Sequence, residues 1–309
     1  MEARKFLDAL SVAERLKDVT RHSYTSGGRR ESVAEHSWRL TLMAYFVSDE
    51  FPDIDHEKLL KMCLIHDLGE AFTGEINLAE FACFPNLQYL AVWDERAVNL
   101  EALSRLPKLT TLVLDHCGLT ESDLPTIAQH APQLTTLNIS NSGITSIEPL
   151  GQGLQKTLTM LDMAGLAVDL TPLGGMENLG HVRLGDDWNG HRISLDLAPL
   201  SGLTRLEYLH IFGAKLDNVD AISSMSGLIC IDLQNCGLTS AKLTALNGHP
   251  LTTEIVLERN FLRTLDGLDL STLPELKEIN LGGNTIRDFS MFDGTAITVY
   301  GQDWQNVTY

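Results

Sequence analysis

The stretch LTTLVLDHCGL (109–119) recurs in one frame as LTTLNISNSGI (134–144), LTMLDMAGLAV (158–168), LEYLHIFGAKL (206–216), LICIDLQNCGL (228–238) and LKEINLGGNTI (276–286). The shared pattern is LxxLxLxxNxL. TTEIVLERNFL (252–262) keeps it with Thr252 in the first leucine place, and LGHVRLGDDWN (179–189) keeps its first half. The place usually held by Asn is taken by Cys117, Ser142, Leu166, Asp187, Ala214, Cys236, Asn260 and Asn284. The period is about 24 residues, in the range of units that stack side by side because none can bury its apolar face alone. Spacing is irregular between Leu166 and Ala214, and GDDWNGHRIS (185–194) reads as an inserted loop.

Each frame predicts a short strand whose leucines point into the coil while alternate residues point outward from a parallel sheet. The Asn place sits where the chain turns inward, where a side chain can bond backbone groups of neighbouring coils, so Cys117 and Cys236 read as packing residues. Helical spacing marks the returns SDLPTIAQHAPQL (122–134) and SAKLTALNGHP (240–250), whereas SIEPLGQ (146–152) and DLAPLSG (196–202) look tighter. At the C-terminal end, Ile297 and Val299 take strand-leucine places, Gln302 the Asn place and Trp304 the next apolar one. The pattern resembles bacterial internalin-like leucine-rich repeats. The resemblance implies an α/β fold, a right-handed solenoid of about nine to ten coils over residues 77–309, with the parallel sheet on its concave face.

Outward strand residues of such a solenoid define the binding surface. They include Trp93, His181, Arg183, Cys230, Asp232, Glu254 and Glu258. Tyr208, His210 and Phe212 on one strand, flanked by Arg183 and Asp232, are the best hot-spot candidate, because aromatics and Arg dominate interface energetics. Trp188 in the inserted loop could join them. The alternatives are isolated surface aromatics, or a loop that folds over and buries them.

Charge narrows the partner class. The chain has 309 residues, 44% of them hydrophobic and 21% charged, and a net charge of −18. The acidic excess is heavier beyond residue 76, where 27 Asp and Glu face 13 Lys and Arg. Such a surface repels phosphate backbones and anionic headgroups, so nucleic acid and membrane are poor partners and a basic or neutral protein fits better. The N-terminus MEARKFLDALSVAERLKD lacks the apolar core of a signal peptide, and no run approaches the roughly 18 apolar residues that span a bilayer, which points to a cytoplasmic protein. Five cysteines without CxxC spacing are expected to be reduced, mostly buried thiols.

Residues 1–76 have no repeat frame and read as helical. A first helix covers about 2–17, with Phe6, Leu7, Leu10, Ala13 and Leu16 on one stripe, followed by a loop at Gly27-Gly28. Ser32 opens a second helix with Glu35 at capping-box spacing. A third starts near Asp55 and runs into His66-Asp67. The constellation RLKDVTRHS (15–23), SVAEHSWRL (32–40) and CLIHDLGEAFTGEI (63–76) resembles the first half of HD-domain phosphohydrolases, in particular the 5′-deoxynucleotidase-like branch. The resemblance implies an all-α segment in which His36, His66 and Asp67 bind a divalent metal (Mn, Co, Zn or Fe). It further implies that Glu70 orients or activates the attacking water and that Arg21 contacts phosphate. Glu75 stands where the family usually has Asp.

The chemistry is coherent in its own right. Two imidazoles and a carboxylate suit a borderline divalent ion, whose bound water becomes nucleophilic near neutral pH, and Glu70 lies one helical turn beyond His66. The pattern also departs from the family. The fourth ligand, an Asp from a later helix, and the helices closing the pocket have no counterpart after Ile76. Asp94 or Glu95 could offer a carboxylate, but from a strand-and-turn frame.

Three readings follow. In the first, the chain is a protein-binding module that uses its concave face, with residues 1–76 as an inactive HD-like cap over the first coil, and it requires no cofactor. In the second, it is a metal-dependent nucleoside 5′-monophosphate phosphohydrolase with a leucine-rich-repeat targeting domain. The third is a fusion product without a selected role.

Overall fold

The computed structural model describes residues 10–25, 27–46, 48, 54–65, 75–185 and 193–305. They divide into two compact units, one of residues 1–85 with 95–99 and one of residues 86–94 with 100–309. The expected boundary at 76/77 falls inside the strand Glu75–Asn77.

In the smaller unit, Ser32 and Glu35 start the helix Val33–Phe46 by a reciprocal capping box. The Ser32 N–H donates to Glu35 Oε2 at 2.9 Å and the Glu35 N–H to Ser32 Oγ at 3.3 Å. Asp55 starts the helix His56–Ile65 by accepting the Lys58 N–H at 3.0 Å. Where the sequence suggested only a loop around Gly27-Gly28, the strands Thr20–Tyr24 and Arg30–Ser32 form an antiparallel hairpin. Glu75–Asn77 pairs in parallel with Arg96–Val98. Leu16, Val33, Ala44, Cys63, Ile76, Leu78 and Phe81 are buried, whereas Trp38 and Phe46 are 62% and 74% exposed.

Among the described residues the larger unit contains a ten-stranded parallel sheet running from Tyr89–Trp93 to Thr298–Tyr300, with its strands adjacent in space in the order they occur in the chain. The leucines at alternate positions, such as Leu112, Leu114, Leu137, Leu161, Leu209 and Ile255, are fully buried. This is the leucine-rich-repeat architecture that the frame predicts. Returns are mostly 3-10 turns, and two differ from the sequence reading. The segment read as helical at 240–250 is a 3-10 helix, Ser240–Leu246, and the tight return at 146–152 contains the short α-helix Glu148–Gly153, with Pro149 in its first turn. The return Asp123–His130 is helical as expected.

The corners explain the frame. The residue just before the Asn place has positive φ in coil after coil: His116, Asn141, Gly165, Gly213, Asn235, Arg259 and Gly283. That left-handed step turns the chain inward and delivers the next side chain to the core. Asn260 and Asn284, 4% and 0% exposed, then act as hydrogen-bond hubs. The Asn260 amide donates to the Leu233 and Leu257 carbonyls at 2.8 and 3.0 Å, and its oxygen accepts the Cys236 and Leu238 N–H groups at 3.0 and 2.9 Å. Asn284 donates to Leu257 and Leu281 and accepts from Leu262. In the same place Cys117 donates to the Val92 and Asp115 carbonyls, and Cys236 to those of Ile211 and Gln234.

In the last coil the hub is Gln305, not Gln302 as the frame suggested. Gln305 is buried, donates to the Leu281 and Gly301 carbonyls at 2.6 and 2.8 Å, and accepts the Ile286 N–H at 3.0 Å, while Gln302 is exposed. The longer glutamine side chain reaches the corner from three residues further on. Trp304 is 38% exposed, with the Arg259 guanidinium 5.6 Å from its ring centroid.

Two outcomes are expected. Asn284→Leu keeps the branched shape but strips three or more buried backbone groups of their partner, and should cost about 2–4 kcal/mol in urea unfolding. His249 is fully buried. Burial pushes its pKa down, and nearby backbone groups of Ala245 and Met225 offset this only in part. The folded state therefore binds fewer protons than the unfolded chain. Its stability should be complete above the ordinary histidine pKa and fall as pH drops below it, down to the folded pKa. His249→Leu should flatten that part of the stability–pH profile measured by thermal unfolding.

Candidate functional site

Pairing register places the outward residues of the sheet in two rows. One runs Met160, His181, Tyr208, Cys230, Glu254, Glu278; the other runs Asp162, Arg183, His210, Asp232, Val256, Asn280. Along Tyr208–Phe212 the alternation is as the frame requires, with Tyr208 37% exposed, His210 and Phe212 half-buried, and Leu209 and Ile211 buried.

The rows bring together most of the expected hot spot. The His181 ring stacks on Tyr208 at 5.5 Å between centroids and lies 4.9 Å from His210. His210 Nδ1 is 3.6 Å from Asp232 Oδ2. Burial, then the neighbouring His210, pushes the His181 pKa down, which favours its neutral form. Arg183 Nη1 lies 3.2 Å from Asp162 Oδ2.

Asp162 is the member that the sequence reading missed. It is 5% exposed and also accepts the Ser140 hydroxyl at 2.8 Å and the Ala164 N–H at 3.1 Å. The outward place in LTMLDMAGLAV, between Leu161 and Met163, was the available signal. Cys230 also differs from expectation. Its place is outward, yet it is 5% exposed, and burial first, then Glu254 and Asp232, push its thiol up to about 12. It is no nucleophile.

Trp93 is 54% exposed but belongs to the edge strand, with four strands between it and Tyr208–Phe212. The sheet does not gather it into the cluster. Trp188 lies outside the described residues.

In the smaller unit, His36 sits on the helix Val33–Phe46 with its side chain a quarter exposed, and its Nδ1 is 4.0 Å from Glu31 Oε2. Glu31, which the sequence reading did not single out, is 3% exposed and accepts from Arg39 Nη2 at 3.0 Å. Arg21 lies in the hairpin strand Thr20–Tyr24. His66, Asp67 and Glu70 lie outside the described residues. Among the described residues no three His, Cys, Asp or Glu side chains gather to hold a metal. Asp94, considered above as a carboxylate donor, is engaged by His116 Nδ1 at 2.8 Å. Among the described residues no helix is long and apolar enough to cross a membrane.

The family described as HD domain matches residues 13–108. The chain is 31% identical over 80 residues to the 5′-deoxynucleotidase HDDC2 of Homo sapiens, covering 25% of this chain and 38% of that protein. It is 36% identical over 73 residues to the 5′-deoxynucleotidase hdd1 of Schizosaccharomyces pombe, covering 23% and 34%. The chain thus spans about two fifths or less of the length of the curated relatives it matches. Among solved structures, an internalin (inlF) from Listeria monocytogenes aligns with a TM-score of 0.51 and 18% identity, over 77% of this chain and 75% of that one; this likeness concerns the fold alone.

If the Asp162–Arg183 pair orders the outward row, Asp162→Ala leaves Arg183 and the Ala164 N–H without their acceptor and should cost about 1–3 kcal/mol in thermal or urea unfolding. An unchanged stability would show the pair to be incidental. The chain joins an N-terminal HD-domain segment, related to 5′-deoxynucleotidases, to a leucine-rich-repeat solenoid.

Proposed function

We propose that this chain is a protein-recognition module whose binding site is the outward face of the parallel sheet, centred on Tyr208, His210 and Phe212. The observation that carries the reading is the side-by-side packing of His181, Tyr208 and His210 on the outward strand surface, framed by Arg183 and Asp232. Rigid aromatics on strands offer contact area at low entropic cost, and partly desolvated aromatic clusters are where interface energy concentrates. The acidic character of the chain favours a protein partner over nucleic acid or membrane.

The HD-domain segment is, in this reading, catalytically inactive. HD domains typically bind divalent metals, and in a second reading His36, His66 and Asp67 hold Mn, Co, Zn or Fe, with Glu70 and Arg21 serving hydrolysis of a nucleoside 5′-monophosphate. The match to 5′-deoxynucleotidases favours that alternative, and the short span of those proteins that it covers weighs against it.

Two measurements separate the readings. Tyr208→Ala with Phe212→Ala should weaken any polypeptide partner by at least about tenfold at an unchanged melting temperature; a partner held equally by both proteins puts the site elsewhere. On the first reading, purified protein carries no stoichiometric metal dependent on His66 and does not hydrolyse deoxynucleoside monophosphates. Metal and hydrolysis that are both lost in His66→Ala would establish the second.

A further inference from the structure

The outward face is not electrically uniform. On the aromatic side, the cation Arg183 is engaged by Asp162, and burial and His210 favour the neutral form of His181. Beyond Tyr208–Phe212 the outward positions of the next three strands are Cys230 and Asp232, Glu254 and Val256, and Glu278 and Asn280. None is Lys or Arg. Arg259, at the corner after the strand Glu254–Val256, pairs with Glu258 at 3.2 Å and lies over the Trp304 ring. Asp232, Glu254 and Glu278 thus present negative charge on the outward sheet face beside an aromatic ring.

Register sets the spacing. Tyr208, Cys230, Glu254 and Glu278 are successive partners across the sheet, so Tyr208 and Glu278 are separated by three strand intervals, about 14 Å at about 4.8 Å each. An extended polypeptide crossing the strands covers that distance in about four residues. The charge complement of the face is a cation. A second copy of this chain, at net charge −18, is repelled.

We propose that the face between Tyr208–Phe212 and Glu278–Asn280 binds an extended polypeptide segment bearing Lys or Arg, with one residue stacked on Tyr208 and a cationic side chain about four residues away on Glu254 and Glu278. This rests on the reading of the outward face as a protein-binding site and adds the chemistry of the partner.

The test is a selection of random displayed peptides on the full chain, followed by titration of synthetic winners against wild type, Glu254→Gln/Glu278→Gln and Tyr208→Ala. Both carboxylates are exposed, and melting temperatures of all variants verify folding. The expected winners carry Lys or Arg about four residues from an aromatic or cationic residue. They should lose about tenfold or more in affinity in the double Gln variant, weaken at higher salt, and weaken again in Tyr208→Ala. Acidic or neutral winners that depend on Tyr208 but not on Glu254 and Glu278 overturn the cationic partner and leave the broader binding reading standing. Winners indifferent to all three substitutions, or no enrichment over an unrelated acidic protein, overturn both.

Discussion

Everything in the larger unit depends on satisfying the backbone at the inward corner of each coil. A solenoid buries leucines by turning the chain sharply, and each turn leaves N–H and C=O groups inside an apolar stack, where an unmade hydrogen bond costs about 1–3 kcal/mol. Asn260, Asn284 and Gln305 meet that demand with amides that both donate and accept, tying the last coils to their neighbours. Cys117 and Cys236 meet only the accepting carbonyls. The left-handed residues His116, Asn235, Arg259 and Gly283, just before Cys117, Cys236, Asn260 and Asn284, are the geometric counterpart of the same constraint.

Because the coils are held in register, the outward face becomes a lattice whose chemistry is set by single residues on successive strands. Asp162 under Arg183, His181 against Tyr208, and Asp232 beside His210 are consequences of pairing, not of proximity in the chain. The outward face pairs Arg183 with Asp162 and leaves Glu254 and Glu278 exposed, and on these features the proposed protein-binding role rests. The HD-domain segment has a different logic, in which helices started by capping groups carry His36 beside the buried Glu31.

Much of this was legible in the residues. LxxLxL gives strands, buried leucines and outward rows directly, since the period of two leaves no freedom in which side chains face outward. The returns were less legible: 240–250 and 146–152 exchanged expected character because a few residues between fixed corners are shaped by the coils on either side more than by their own propensity. Gln305 was missed because its side chain reaches the corner from outside the frame, and the hairpin of Thr20–Tyr24 with Arg30–Ser32 because neither strand carries an alternating apolar face. Trp93 illustrates the limit for the site: sequence places it on an outward strand, but only strand order shows that four strands part it from Tyr208.

The most direct measurement is amide hydrogen exchange at the corners. The N–H groups of Cys236, Leu238, Leu262 and Ile286 bond to side-chain oxygens of Asn260, Asn284 and Gln305. They should be protected as strongly as the strand amides beside them, and to a similar degree from coil to coil. Exchange of these four amides at loop rates, while the strands remain protected, would contradict the role assigned to the corner hubs.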